Sequence, residues 1–389
     1  MTESPAPAET PDATDHVSRE TGSEHAPPEA SVDHVSRETG SGHAPPETSV
    51  DHVSRGTEAD HVSTPGHDAR DTAANDVSPE ASSDRVSRET SFDTPIAREA
   101  AHAVRVQNVR QERWPRPAVT RVLTVANQKG GVGKTTCAVN IAAAMALHGL
   151  RVLLIDLDPQ GNASTALGVP HGVGTPSAYD VLLAGHTIDS VATAVELADT
   201  LRCVPATLDL AGADIELTSQ VAREYRLQRA VGVLLSEERT YDYIFIDCPP
   251  SLGLLTLNAL VAAREVLIPI QCEYYALEGL AQLMNTVDLV RAHLNPDLAV
   301  TTVLLTMYDS RTRLADQVAD EVRKYFGELV LGPVIPRNVR VSEAPGFGQT
   351  VITYDPGSRG AVGYVEAARE IAERGAAPAS AQEKEESDT

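Results

Sequence analysis

Two periodicities alternate along residues 121–375. Continuous apolar runs of strand length, at 122–126, 152–155, 243–246, 266–270, 300–305 and 334–335, are separated by stretches with helical spacing at 134–149, 253–263, 277–293, 313–326 and 360–373. A strand that is apolar throughout must be covered on both faces, whereas one open to solvent alternates with polar residues. The pattern therefore predicts an α/β fold, a mostly parallel sheet with helices on both faces. In such sheets ligands bind beyond the carboxyl ends of the strands. The residues just after each apolar run are thus the first candidates for chemistry.

The pattern is absent at the start of the chain. Before Phe92 there is no Leu, no Ile, no aromatic side chain and no Met after the first. Such a segment cannot bury enough apolar surface to offset the entropy of ordering, so residues 1–92 are expected to be a disordered tail. The tail repeats itself: Asp15-His-Val-Ser-Arg-Glu-Thr21 recurs as Asp33-His-Val-Ser-Arg-Glu-Thr39, and again with Gly56 in place of Glu at 51–57. A further copy, Val86-Ser-Arg-Glu-Thr90, lies closer to the apolar region. The repeat is too polar to stack as a solenoid. Its pentapeptide can be encoded by DNA whose first fourteen bases are their own reverse complement. Residues 93–117, where Arg98, Arg105, Arg110, Arg113 and Arg116 interleave with Ala and Val, read as a basic linker. That leaves 118–376 as one domain and 377–389 as a second disordered, acidic stretch.

Charge and cysteine content change this picture only locally. Of a formal net charge of -23, the tail carries -13, from 19 acidic residues and 6 arginines in 1–92. The acidity is mostly a property of the tail and leaves room for a basic face elsewhere. Cys137, Cys203, Cys248 and Cys272 form no C-x-x-C pair and sit in apolar runs, as expected of reduced, buried thiols in a cytoplasmic protein. No signal peptide or membrane helix is expected, and the acidic C-terminus does not suit a membrane-surface helix.

The chemistry is concentrated after the first strand. Asn127-Gln128-Lys129-Gly130-Gly131-Val132-Gly133-Lys134-Thr135-Thr136 leads into an Ala-rich helix. A glycine-rich turn opening a helix offers backbone N–H groups and a positive dipole end to phosphate. Lys134 is then placed to reach the β- and γ-phosphates and Thr135 to coordinate Mg²⁺. The usual pattern has Gly where Gln128 stands, and Lys129 is an additional cation. The chain has four lysines, and two of them are in this loop. Two acidic strand ends support the assignment: Asp156 and Asp158 follow one buried run and Asp247 ends another. A carboxylate at such a place serves as a strand-end cap, or as a partner for Mg²⁺-bound and attacking water.

These motifs resemble the ParA/Soj family of chromosome-partitioning ATPases, within the wider group that includes the Min cell-division ATPase. The resemblance covers about 118–375 and includes Pro205-Ala-Thr, Leu210-Ala-Gly-Ala-Asp-Ile-Glu-Leu217, Ile270-Gln-Cys-Glu-Tyr-Tyr-Ala-Leu-Glu-Gly279, Leu305-Thr-Met-Tyr-Asp309 and Ile335-Pro-Arg-Asn-Val-Arg340. It implies an ATP- and Mg²⁺-dependent switch in which ATP is sandwiched between two protomers and Lys129 crosses to the partner's phosphates. Gly130 would lie where the two loops meet, Asp158 would orient the attacking water, and Asp247 would hold Mg²⁺ through water. Thr136 would contact the α-phosphate, with Gly131, Val132, Gly133 and Pro159 as further ATP-binding residues and Met307, Pro336 and Asn338 walling the adenine. Arg311 and Arg340 are the implied contacts to non-specific double-stranded DNA, with Arg313, Arg323, Lys324 and Arg337 as neighbours. The implied partners are a second copy of the chain, DNA and a ParB-type centromere-binding protein, with no membrane, in a cytoplasmic, nucleoid-associated setting. A Min-type division ATPase shares the loop but needs a C-terminal membrane helix. A nitrogenase-reductase-like role needs paired cluster cysteines. A plasmid-partitioning role stays open.

Overall fold

The computed structural model describes residues 113–236, 240–274 and 278–376. The expected tail, most of the expected linker and residues 377–389 lie outside the described residues.

Seven strands form one sheet: β1 (Arg121–Val125), β2 (Val152–Asp156), β3 (Thr193–Ala194), β4 (Leu201–Val204), β5 (Tyr243–Asp247), β6 (Glu265–Gln271) and β7 (Ala299–Thr306). Their spatial order is β3-β4-β2-β5-β1-β6-β7, and every pair is parallel except β3 with β4. This is the architecture the alternating pattern predicts. Helices α1 (Lys134–Leu147), α2 (Asn162–Ala166), α3 (Leu210–Thr218), α4 (Arg226–Ser236), α5 (Leu254–Ala262), α6 (Glu278–His293), α7 (Arg313–Phe326), α8 (Val339–Glu343), α9 (Val351–Tyr354) and α10 (Arg359–Gly375) are the main connections.

Because successive strand residues point to opposite faces, each strand feeds two cores. On one side α1 and α10 cover Leu123, Val125, Leu154, Tyr243 and Phe245. On the other, α3 to α7 cover Val122, Leu153, Ile155, Ile244 and Ile246. Each fully buried large side chain contributes about 1.5–3 kcal/mol relative to exposure, so the two-sided cover accounts for the unbroken apolar runs. The alanines of α1 are all buried; small side chains let this helix lie close to both the sheet and α10.

Register sets the function. Asp156 and Asp247 are paired positions of β2 and β5, and Val125 sits opposite Asp247 on β1. Three strand ends, and the loops leaving them, therefore open at one level. At the far end of α1, the Trp114 ring stacks on His148 at 3.9 Å, and Pro117 bridges to Ala376. Packing thus begins at Trp114, within the stretch read as linker.

The sequence pattern departs from the structure in two places. The apolar pair 334–335 is no strand. It lies between Pro333 and Pro336, which have no N–H to donate, and only Ile335 exchanges ladder-like bonds, donating to the Leu305 carbonyl at 2.8 Å and accepting from Tyr308 N at 3.0 Å. Strand β4, with exposed Arg202 among its four residues, and helices α3 and α4 went unread because each apolar stretch is short.

Candidate nucleotide site

The turn between β1 and α1 is clamped by its neighbours. Asn127 Nδ2 donates to the Pro269 carbonyl at 2.8 Å, Lys129 N donates to Asn127 Oδ1 at 3.0 Å, and Thr306 Oγ1 donates to the Val132 carbonyl at 2.8 Å. Gly131 and Gly133 adopt φ of 75° and 91°, a region that costs other residues strain. Helix α1 then starts at Lys134 with no side-chain cap and no acidic residue in its first turn. Its positive end is left open toward solvent, the arrangement that binds anions.

In front of the turn lies a cleft of about 770 Å³. Gly130, Gly131, Gly133, Lys134, Thr135 and Thr136 line its floor, Asp158 one edge, and Met307, Pro336 and Asn338 the far wall. That wall is held together by backbone bonds from Tyr308 N to the Ile335 carbonyl and from Arg337 N to the Tyr308 carbonyl, both 3.0 Å. Met307 takes φ of 50°, a strained value for a non-glycine residue that tends to mark functional sites. Asn338 caps α8, its Oδ1 accepting from Arg340 N at 2.9 Å. Val132 is buried beneath the loop, and Val132, Pro159, Asp247 and Lys129 are not lining residues of the cleft.

The electrostatics of the floor are unbalanced. Asp247 is fully buried, and neither carboxylate oxygen has a hydrogen-bond partner. Burial, and then the adjacent Asp156, push its pKa well above the usual range; nearby Thr135 and Lys134 act in the opposite sense. Asp156 is also raised, to about 6, mainly by burial. Its oxygens are occupied, however, accepting from Ser164 N at 2.9 Å, Ser164 Oγ at 2.8 Å and Asp158 N at 3.2 Å. Asp156 is therefore a cap that shapes the loop after β2. Lys134 is buried and its pKa is lowered, by desolvation first, against the pull of Asp247, Cys248 and Asp158. Two carboxylates, Asp247 and Asp158, lie near one buried ammonium, and the deeper of them lacks a donor. An unpaired buried carboxylate costs several kcal/mol, so this floor is built to receive a cation. No group of three or more His, Cys, Asp or Glu side chains among the described residues could hold a metal alone. That suits Mg²⁺, which is commonly held by one or two protein oxygens together with phosphates and water.

Some positions differ from expectation, and others were not foreseen. Lys129 points away from the cleft of its own chain, with its Nζ 3.8 Å from Glu273. Glu273 also accepts from Arg337 at 2.9 Å and from Gln271 Nε2 at 2.6 Å. Arg337, read as a neighbour of the DNA-contact residues, also lines the cleft. Asn140, nearly two turns into α1, lines the cleft and ties it to α9 by accepting from Val351 N at 2.9 Å. Nothing in the local sequence marks Asn140. Arg311 is highly exposed and held by Asp309 at 2.8 Å. Arg340 is half-exposed, with Glu343 at 2.9 Å and Asp355 at 3.4 Å. Both arginines thus reach solvent from segments adjoining the cleft wall.

A parallel sheet with this loop at its carboxyl edge defines a P-loop nucleoside triphosphatase. A protein-family model described as an AAA domain matches residues 120–300. The sporulation initiation inhibitor protein Soj of Bacillus subtilis is 54% identical over 255 residues, covering 66% of this chain and 99% of that protein. The chromosome partitioning protein ParA of Myxococcus xanthus is 53% identical over 256 residues, covering 66% of this chain and 89% of that one. Among solved structures, the cobyrinic acid a,c-diamide synthase of Mycobacterium smegmatis with bound ADP and magnesium is 40% identical, covers 66% of this chain and 93% of its own, and superposes with a TM-score of 0.55. The chain belongs to the Soj/ParA family of chromosome-partitioning ATPases.

Proposed function

We propose that this ATPase partitions DNA as an ATP-clasped dimer that binds DNA without sequence preference and is stimulated to hydrolyse by a ParB-type partner. The observation that supports this most is the placement of the two loop lysines. Lys134 lies inside the cleft, whereas Lys129, only five positions earlier in the same loop, lies outside it on Glu273. A cation that serves no phosphate of its own chain is available to a second one.

Thr135 and Asp247 would hold Mg²⁺, Asp247 through water, and the ion would neutralise charge developing on the phosphates. Lys134 and the first N–H groups of α1 bind the phosphates, and Thr136 contacts the α-phosphate. Asp158 Oδ1 already accepts from Gln160 N at 3.0 Å, which fixes the carboxylate at the cleft edge where it orients the attacking water. Met307, Pro336 and Asn338 enclose the base. The clasp requires Gly130, where an added Cβ would meet nothing within 4 Å in the single chain. Arg311 and Arg340 would exchange their carboxylate partners for DNA phosphates. Each dimer presents the set twice, so ATP switches affinity on by doubling the contacts.

A second reading comes from the diamide synthase relative. A thiolate nucleophile for acyl transfer is not on offer, since all four cysteines are buried and burial raises each thiol pKa. The partitioning reading is therefore favoured. No helix among the described residues is long and apolar enough to cross a membrane. Co-sedimentation with DNA, with and without ATP at two salt concentrations, tests the proposal. ATP-dependent, salt-sensitive binding that Arg340→Ala weakens is expected; binding indifferent to ATP would contradict it.

A further inference from the structure

The sheet, both cores and the cleft are assembled from residues 114–376, so the fold gives no reason for the repeats at 15–57 and 86–90. The genetic code gives one. Val, Ser, Arg, Glu and Thr in that order can be written GTN TCN CGN GAR ACN. Over the first fourteen bases, once Ser is written TCN rather than AGY and Arg CGN rather than AGR, five of the seven mirror-related pairs are set: the first two bases of Val against those of Thr, the first two of Ser against those of Glu, and the two central bases within the Arg codon. All five are complementary, an agreement that chance gives on the order of one time in a few hundred when either codon family is allowed for Ser and for Arg and each position has four possible bases. The other two pairs, third base of Val with Glu and third base of Ser with Arg, are free to match. The third bases of the preceding residue (His16, His34 or Arg85) and of the Thr can match as well, giving sixteen self-complementary base pairs at 17–21, 35–39 and 86–90.

We infer that the DNA encoding these repeats is a set of inverted-repeat binding sites for a two-fold-symmetric, sequence-specific DNA-binding protein. A self-complementary duplex presents the same major-groove pattern to each half of a symmetric dimer. Copies beginning at Val17, Val35 and Val53 are eighteen codons, or 54 base pairs, apart. At about 10.5 base pairs per turn that is about five turns, so adjacent sites face nearly the same side of the duplex. The copy carrying Gly56 has GGN for GAR and loses one fixed pair, which predicts a weaker site. A repeat selected for its peptide alone has no reason to keep complementary codons.

The coding strand tests this first. Ser18, Ser36 and Ser87 are expected to use TCN, and Arg19, Arg37 and Arg88 to use CGN, with complementary third bases. Any AGY or AGR codon at an intact copy, or scattered third bases, overturns the inference. The second test takes the ParB-type partner of the proposed function as its probe, and only that choice rests on the proposal. Purified partner is titrated with a duplex spanning codons 15–57 and with a synonymously recoded duplex. Tighter binding to the native duplex by about a thousandfold is expected, with the Gly56 copy alone bound about ten- to a hundredfold less tightly than an intact copy. Equal binding to both duplexes overturns the inference. Because this assay contains neither the ATPase nor ATP, its failure would leave ATP-dependent DNA binding by the ATPase untouched. Loss of that ATP-dependent binding would likewise leave the codon test standing.

Discussion

The two ends of the sheet treat buried charge in opposite ways. At the amino ends, Arg121 bonds Glu265 at 2.7 Å and the Ile371 carbonyl at 2.9 Å, its guanidinium 5.6 Å from the centre of the Tyr243 ring. Thr301 donates to the same Glu265 at 2.7 Å, and fully buried Asp242 accepts from Arg151 N at 2.8 Å with Arg116 at 3.7 Å. At the carboxyl ends, Asp247 has no donor and Lys134 is desolvated beside it. The same strands that satisfy their charges at one end leave them exposed to strain at the other. Paired charges hold the fold together; one unpaired carboxylate beside a desolvated ammonium under the cleft stores free energy that binding a cation and phosphates releases.

Substitutions at the two ends should therefore separate activity from stability. The largest effect is expected at the cleft floor. Lys134→Ala should lower the hydrolysis rate on the order of a thousandfold or more, and Asp247→Asn should do likewise. Asp247→Asn should at the same time raise the stability of the nucleotide-free domain by about 1–3 kcal/mol, because a buried charge without a partner is replaced by a neutral isostere. Steady-state hydrolysis and thermal unfolding on the same samples check both halves. At the opposite end, Arg121→Ala should cost about 2–4 kcal/mol by stranding Glu265 while leaving hydrolysis per folded molecule unchanged.

A smaller effect is expected with pH. The folded-state pKa of Asp156, about 6, lies above its ordinary value of about 3.9. Its contribution to stability is therefore present below about pH 4 and lost as pH rises through about 6. Nucleotide-free wild type should lose melting temperature over that window, and Asp247→Asn should lose less, since Asp247, itself held well above the usual carboxylate range by burial, no longer contributes its own titration. Smallest, Arg340→Ala should weaken DNA binding uniformly across sequences and reduce the slope of log affinity against log salt by about one for each phosphate that is no longer neutralised. A change confined to one DNA sequence would break the parallel between exposed arginines and phosphate binding.

How much of this was legible depended on whether the signal was local. The loop from Lys129 to Thr136 and the strand-end carboxylates could be read directly, because a glycine-rich turn between an apolar run and a helix is contiguous in sequence. The sheet's parallel character followed from unbroken runs such as 243–246. The short elements between 193 and 236 escaped, since β4 has four residues and one of them faces solvent. Asp156 and Asp158 are two residues apart and looked alike; only Ser164, brought back by the turn into α2, makes the first a cap. The pairing of Lys129 with Glu273 and the position of Arg337 arise from loops after β1, β6 and β7 meeting in space, which no spacing along the chain reveals.

Sedimentation velocity with Mg²⁺ and a hydrolysis-resistant ATP analogue, on wild type and Gly130→Val, bears most directly on a site completed by two chains. The single chain has open space at Gly130, so the valine variant should fold and bind nucleotide as a monomer while wild type sediments as a dimer. A wild type that stays monomeric with nucleotide bound, or a valine variant that dimerises as well, would contradict the account.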